Sequence, residues 1–283
     1  MGKHKEYMMN DKMFKDGGFE KAYKEYYIYS FENTALGAGA GNIFSDVTVR
    51  MDSDADFEVM KRCHVATSNN MRVRFQDDSY GRQFQNASLD LRGVSGTKLE
   101  NAGIVDFGIS LNNFMPFILP RPYLIRAGTT YTTSFADASG VANSIRMAFH
   151  GAKLRPGKAL WKQNWKAKPP YDYTTGSLSV AAGGTLNTQI SIQIDAHFLV
   201  QKIVGFRNSG APALVTIKTG SIDKQWMDKA VHFDNLVGNS QFPNILPAPR
   251  LVERGGTISV SIQNLSSVNA GTYEIIFCGL KLF

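Results

Sequence analysis

The sequence predicts an all-β protein of two tandem β-sandwich, jelly-roll-like domains. They arise from an internal duplication and follow a short, partly helical N-terminal arm. Three observations carry this. One stretch of sequence occurs twice in the same order. Apolar residues alternate with polar ones at a period of two, as on a strand with one buried face. Clusters of Gly, Asn, Asp and Ser interrupt those runs at the short intervals typical of sandwiches.

The repeat is clearest at Phe117-Ile-Leu-Pro-Arg-Pro-Tyr-Leu-Ile-Arg-Ala-Gly128 and Asn244-Ile-Leu-Pro-Ala-Pro-Arg-Leu-Val-Glu-Arg-Gly255. Each is followed by an alternating run, Thr130–Phe135 and Thr257–Ile262, and then by a polar turn. Each copy closes on Phe-x-Gly-x-Lys-Leu, at Phe149–Leu154 and Phe277–Leu282. Upstream, Asp54-Ala-Asp-Phe-Glu-Val59 matches Asp195-Ala-His-Phe-Leu-Val200, and Arg82-Gln-Phe84 matches Lys224-Gln-Trp226. Order and spacing hold over the length of an ordinary domain, too long for a solenoid unit. Ile190–Ile194, Ile258–Ile262 and Val47–Met51 alternate and are read as strands. Leu-Pro-x-Pro cannot be a central strand, because proline donates no ladder bond; it is read as an extended segment crossing to the next strand. Gly128 and Gly255 are expected in tight turns.

The expected boundaries are an arm at 1–34, a first sandwich at 35–155, a basic linker at 156–177 and a second sandwich at 178–283. Phe19, Tyr23 and Tyr26 or Tyr27 fall at helical spacing, so a short helix is expected after Gly18. Nothing in the arm is matched to the second copy. Gly37-Ala-Gly-Ala-Gly41 is read as a joint, and Pro156, Gly157, Pro169 and Pro170 as breakers in the linker.

Net charge is +7, and the excess is uneven: 23 basic and 17 acidic residues through Lys168, against 8 and 7 beyond it. The densest basic run is Lys153, Arg155, Lys158, Lys162, Lys166 and Lys168. Such a run suits an acidic protein surface; nucleic acid is possible but not favoured. No apolar run approaches the roughly 18–20 residues of a membrane span, and the charged Met1–Lys12 segment has no signal-like apolar core. The expectation is therefore a protein made in a host cytoplasm, with Cys63 and Cys278 as reduced thiols.

No catalytic site, metal site or cofactor is expected. His4, His64, His150, His197 and His232 are scattered, without His-x-x-x-His or Cys-x-x-Cys spacing. Cys63 and His64 are neighbours on a strand and point to opposite faces; Cys63, His64 and His150 are expected to lie apart. Asp52-Ser-Asp-Ala-Asp56 lacks the Gly and Glu of a calcium-binding EF-hand loop and is read as a polar turn. Residues assigned to assembly contacts are Tyr7, Met8, Met9, Phe14, Phe19, Tyr23 and Tyr27 in the arm, with Trp161 and Trp165 in the linker.

This combination of charged arm, tandem sandwiches, Leu-Pro-x-Pro and Phe-x-Gly-x-Lys-Leu elements resembles the accessory structural proteins of tailed-bacteriophage virions. The resemblance implies a capsid-associated protein (auxiliary, decoration or vertex) that is homo-oligomeric and binds other virion proteins, above all the major capsid protein. The readings that compete with it are a tail, collar or receptor-binding component, a double jelly-roll major capsid protein, and, from another class, a carbohydrate-binding module.

Overall fold

The computed structural model describes residues 22–37, 43–68, 70–78, 82–85, 87–99, 116–157, 164–207, 211–220 and 224–283, nearly all in strands and the turns between them. In the first sandwich one sheet runs β1 (Ala22–Leu36), β10 (Asn143–Pro156), β3 (Asp56–Ala66). The far edge of β3 is shared by β8 (Phe117–Ile125) and the parallel β7 (Gly96–Leu99). The facing sheet runs β2 (Ser45–Arg50), β9 (Thr130–Asp137), β4 (Met71–Asp77), with β5 (Arg82–Gln83) and β6 (Leu89–Asp90) along β4. A one-turn helix α1 (Leu91–Val94) follows β6.

The second sandwich repeats this plan. One sheet has β11 (Pro170–Thr174) and β12 (Leu178–Val180) on β20 (Gly271–Leu282), then β14 (His197–Arg207) and β18 (Asn244–Val252). The other has β13 (Thr185–Ser191), β19 (Thr257–Asn264) and β15 (Ala213–Thr219), with β16 (Lys224–Gln225) and β17 (Val231–His232) on β15. Helix α2 (Phe233–Leu236) follows β17 as α1 follows β6. The parallel β3–β7 pairing returns as a single parallel bridge, Val204 to Gly238.

The duplication extends to single bonds. The Phe84 N–H donates to the Phe75 carbonyl, and the Trp226 N–H to the Ile217 carbonyl. Met51 N–H bonds Thr129 O, and Ile192 N–H bonds Gly256 O, each at 2.8 Å. Gly128 and Gly255 turn with φ of +72° and +70°, as the sequence predicts. Alternation explains the cores. Tyr29, Phe31, Phe57, Val73, Phe75, Tyr131, Phe135 and Phe149 fill the first, while Phe198, Val215, Ile217, Val260, Ile262, Ile275 and Phe277 fill the second.

The glycine and the lysine of the Phe-x-Gly-x-Lys-Leu motif each have a physical reason. Both β3 and β14 carry a bulge, between Val59 and Lys61 and between Val200 and Lys202. Gly151 and Gly279 lie against those bulges, where a Cβ would sit 2.1 Å from Glu58 O and 2.0 Å from Leu199 O. Lys153 and Lys281 fold back onto the acidic loop before the same strand. Lys153 Nζ reaches Asp52 at 2.5 Å and Asp54 at 3.0 Å, while Lys281 Nζ reaches Asp195 at 2.9 Å and also meets Gln193. Each ammonium also lies over a tyrosine ring, Tyr27 at 3.9 Å and Tyr171 at 4.4 Å. The Asp52–Asp56 loop is thus a polar turn whose carboxylates already hold protein donors, Asp56 Oδ1 accepting from the Ala127 N–H.

Three expectations are corrected. Ala22–Leu36, expected as arm through residue 34 and in part as helix, is a 15-residue strand paired with β10 along its length. Tyr27, Tyr29 and Phe31 face the first core and Tyr26 and Ile28 the second. A strand buried on both faces reads as a continuous apolar run and hides its period of two. An arm truncation that spares the first sandwich therefore has to stop before Ala22. The strand also has a counterpart: Tyr27-x-Tyr29 matches Tyr171-x-Tyr173, with Tyr29 and Tyr173 edge-on to Phe57 and Phe198 at 4.7 Å in both. Pro170–Thr174, expected in the linker, is β11 of the second sandwich. The Leu-Pro-x-Pro segments, expected to cross between strands, are themselves β8 and β18, which flank β3 and β14; β18 is an edge strand, the place in a sheet that tolerates proline.

Candidate functional site

The feature that dominates the described structure is the junction between the sandwiches. The outer face of the β1–β10–β3 sheet packs against β18, α2 and the turn around Met227. Tyr26, Ile28, Cys63 and Ala148 of that face join the core of the second sandwich, so one apolar cluster spans both domains. Trp226, 0% exposed, is its largest buried side chain. It lies edge-on to Tyr26 and to Phe277 (ring centres 6.4 and 5.7 Å) and donates its indole N–H to Thr219.

Polar groups in the junction are paired across it. Arg250, on β18, donates to the Tyr26 and Gln225 carbonyls and pairs with Glu25 at 3.1 Å. Lys61 Nζ donates to Asn244 Oδ1 at 2.7 Å and to the Ile245 carbonyl at 2.6 Å; burial pulls its pKa down to about 8. The Ile28 N–H donates to Trp226 O, and the Asp228 N–H to Ile28 O.

Cys63 and His150 do not lie apart as the sequence suggests. Cys63 Sγ sits 3.2 Å from His150 Nε2, and His150 Nδ1 sits 2.8 Å from the Tyr26 hydroxyl. Lys61 faces His150 in the ladder, and Cys63 projects from the same face two residues on. Burial pushes the Cys63 thiol up to about 12 and holds His150 well below its ordinary range, so both groups are neutral. Both also bond the Asn235 carbonyl, which makes them cross-domain ties. His64 points to the other face of β3; burial lowers its pKa to about 4.

Of the assigned assembly residues, Tyr7, Met8, Met9, Phe14, Phe19 and Trp161 lie outside the described residues. Tyr27 is buried within its own sandwich, and Tyr23 is half-buried on the same strand. Trp165 is half-buried with its ring 5.4 Å from His197, and Lys166 N–H bonds Phe283 O, tying this segment to the end of β20. The basic run is broken up as well: Lys153 and Arg155 pair with Asp54, and Arg155 also with Glu25.

Surface clefts border both sandwiches. One of about 380 Å³ is lined by Lys224, Glu253 and Arg254, and one of about 530 Å³ by Phe44, Asp46, Arg74 and Gln85.

Asp228 gives the junction a testable pH dependence. Its Oδ1 accepts the Ser30 N–H at 2.9 Å, and burial pushes its pKa up to about 7. The folded protein therefore holds this proton more tightly than the unfolded chain. The group's contribution is fully present below the ordinary value of 3.8 and is lost as pH rises through about 7. Asp228→Asn keeps the acceptor and removes the charge. In urea titrations the variant is expected to gain on the parent from about pH 4 to 7, with a flat difference above. His150 works in the opposite sense in both proteins and cancels in the comparison. A difference constant across that range means that Asp228 is ionised in the fold.

The sequence matches no protein-family profile and no curated protein. Among solved structures it is similar to the N-terminal CBM22-1–CBM22-2 tandem domain of Paenibacillus barcinonensis Xyn10C: 10% identity over 95% of this chain and 96% of that one, TM-score 0.19. It is also similar to a peptide-N(4)-(N-acetyl-β-D-glucosaminyl) asparagine amidase: 8% identity over 89% and 96%, TM-score 0.18. A third is infectious bursal disease virus, Gx strain: 10% identity over 93% and 80%, TM-score 0.17. Likeness at this level carries no functional argument. The fold and the junction define the class, an all-β protein of tandem sandwiches with a shared core.

Proposed function

We propose that the chain is a structural subunit of a phage or virus particle that works through subunit–subunit binding. Its place is at the capsid, as an auxiliary, decoration or vertex-associated protein beside the major capsid protein. The observation that carries this is the shared core: the two sandwiches meet through one buried cluster from Tyr26 to Phe277. A chain locked in this way presents two related but unequal surfaces at a fixed distance, which suits a lattice of similar but unequal neighbours. Charge adds direction. The second half is nearly neutral, 8 basic to 7 acidic residues beyond Lys168, and the basic excess lies before it, which suits attachment to an acidic shell.

The test is stoichiometry. Purified particles are washed in low salt and at 1 M, where screening shortens to about 3 Å, and the chain is counted against the shell protein. Many copies on the capsid, depleted by the wash, is the expected result. A few copies on the tail axis would move the protein to the tail or collar, and none in the particle would remove the structural role.

A further inference from the structure

The junction uses one surface from each sandwich, and among the described residues the duplication leaves a second copy of each surface uncovered. The receiving surface is the outer face of β1, β10 and β3, where Tyr26, Ala148 and Ala152 are buried. The inserting surface is the edge carrying Trp226, α2 and β18. The second sandwich has its own receiving face on β11, β20 and β14, and the first has its own inserting edge at Phe84, α1 and β8.

Both surfaces mix exposed apolar side chains with charge: on the receiving face Asp172 and Lys202 flank Cys278 in the ladder and Glu274 stands beside Phe206, while the inserting edge carries Arg121 on β8 and Phe84, whose ring lies 4.7 Å from that of Tyr123. Strand register places Ile276, Cys278 and Leu280 where Ala148, His150 and Ala152 stand in the first sandwich. All three are half-buried, and Phe206 on the same face is 45% exposed. Phe84 takes the place of Trp226, by the equivalent backbone bond, and is 42% exposed. Side-chain volumes compensate. In the occupied junction small Ala148 shares one cluster with large Trp226, while the second pair of surfaces offers larger Ile276 and smaller Phe84, and such volume-conserving exchanges are the kind that packed surfaces tolerate.

We propose that the free receiving face of the second sandwich binds the free inserting edge of the first sandwich of another copy of this chain. The contact repeats between chains the junction already present within each. Its two halves differ, so it is heterologous: copies join head to tail, closing into a ring or running on as a filament. It supplies the subunit–subunit binding of the proposed function and rests on that reading for its multi-copy setting.

Two variants decide it by sedimentation velocity. Ile276→Arg blocks the receiving face and leaves the inserting edge intact; Phe84→Arg does the reverse. The parent is expected to form oligomers, and each variant alone to be a folded monomer that unfolds in a single cooperative transition. Mixed, the two are expected to give a one-to-one dimer, because each retains the half that the other lacks. A pairing of like faces predicts otherwise, since Phe84→Arg alone would still dimerise. Should either variant fail to fold, Phe206→Arg and Phe117→Arg test the same two surfaces. A monomeric parent, oligomers from either variant alone, or a mixture that stays monomeric would overturn the proposal. Each of those results leaves the particle assignment standing, because that depends on copies counted in virions.

Discussion

Replacing Trp226 by alanine is expected to cost about 3–5 kcal/mol, the range for deleting a large aromatic from a closed core. The indole is fully buried, and its removal opens a cavity bounded by Tyr26 of one sandwich and Phe277 of the other. Its N–H partner Thr219 is itself buried, and the guanidinium of Arg250, 5.6 Å from the ring centre, loses that surface. Because the cluster is shared, the loss falls on both domains. Urea unfolding of the parent is expected to be a single transition, and that of Trp226→Ala to begin at lower urea. The matched control is Phe84→Ala, at the equivalent position of the first sandwich. Phe84 is 42% exposed, and its truncation in the monomer is expected to cost about 1 kcal/mol. Equal costs at the two positions would mean that the sandwiches do not share a core.

The duplication is legible in the sequence where chemistry constrains single positions. Gly128 and Gly255 need positive φ, and Gly151 and Gly279 need the absence of a Cβ, so these residues recur at matched spacing. Tyr27-x-Tyr29 and Tyr171-x-Tyr173 are harder to see. The segment from Tyr27 to Asp54 is longer than that from Tyr171 to Asp195, so the match slips out of register. The apolar run of β1 also disguises a strand as part of a helix, because both its faces are buried. The junction is not legible at all. Period-two alternation tells which residues share a face, but not which edge of another sheet that face will meet. Cys63 and His150 look separate in the sequence because they lie 87 residues apart and meet only through the pairing of β3 with β10.

Gly279→Ala is expected to destabilise the protein by about 3 kcal/mol, at the upper end of ordinary overpacking. The conflict is with backbone, not with a side chain that can rotate away. The new Cβ would sit 2.0 Å from the Leu199 carbonyl oxygen and 3.1 Å from Val200 Cα. Relief requires β20 to move off β14 at the bulge. That movement would disturb Phe277, which faces the core, and Lys281, which is fixed by Asp195. Gly151→Ala meets the same obstacle in the first sandwich, with Glu58 O at 2.1 Å and Phe57 Cζ at 2.7 Å. The two substitutions are therefore expected to cost similar amounts, although they lie in different domains and have different neighbours. Gly37→Ala is the control: a methyl group there would meet no described atom within 4 Å, and the substitution is expected to change stability by less than about 0.5 kcal/mol. Urea midpoints for the three variants settle the matter. If Gly279→Ala unfolds with the parent, the motif glycine does not face a bulge, and its recurrence in Phe-x-Gly-x-Lys-Leu needs another cause.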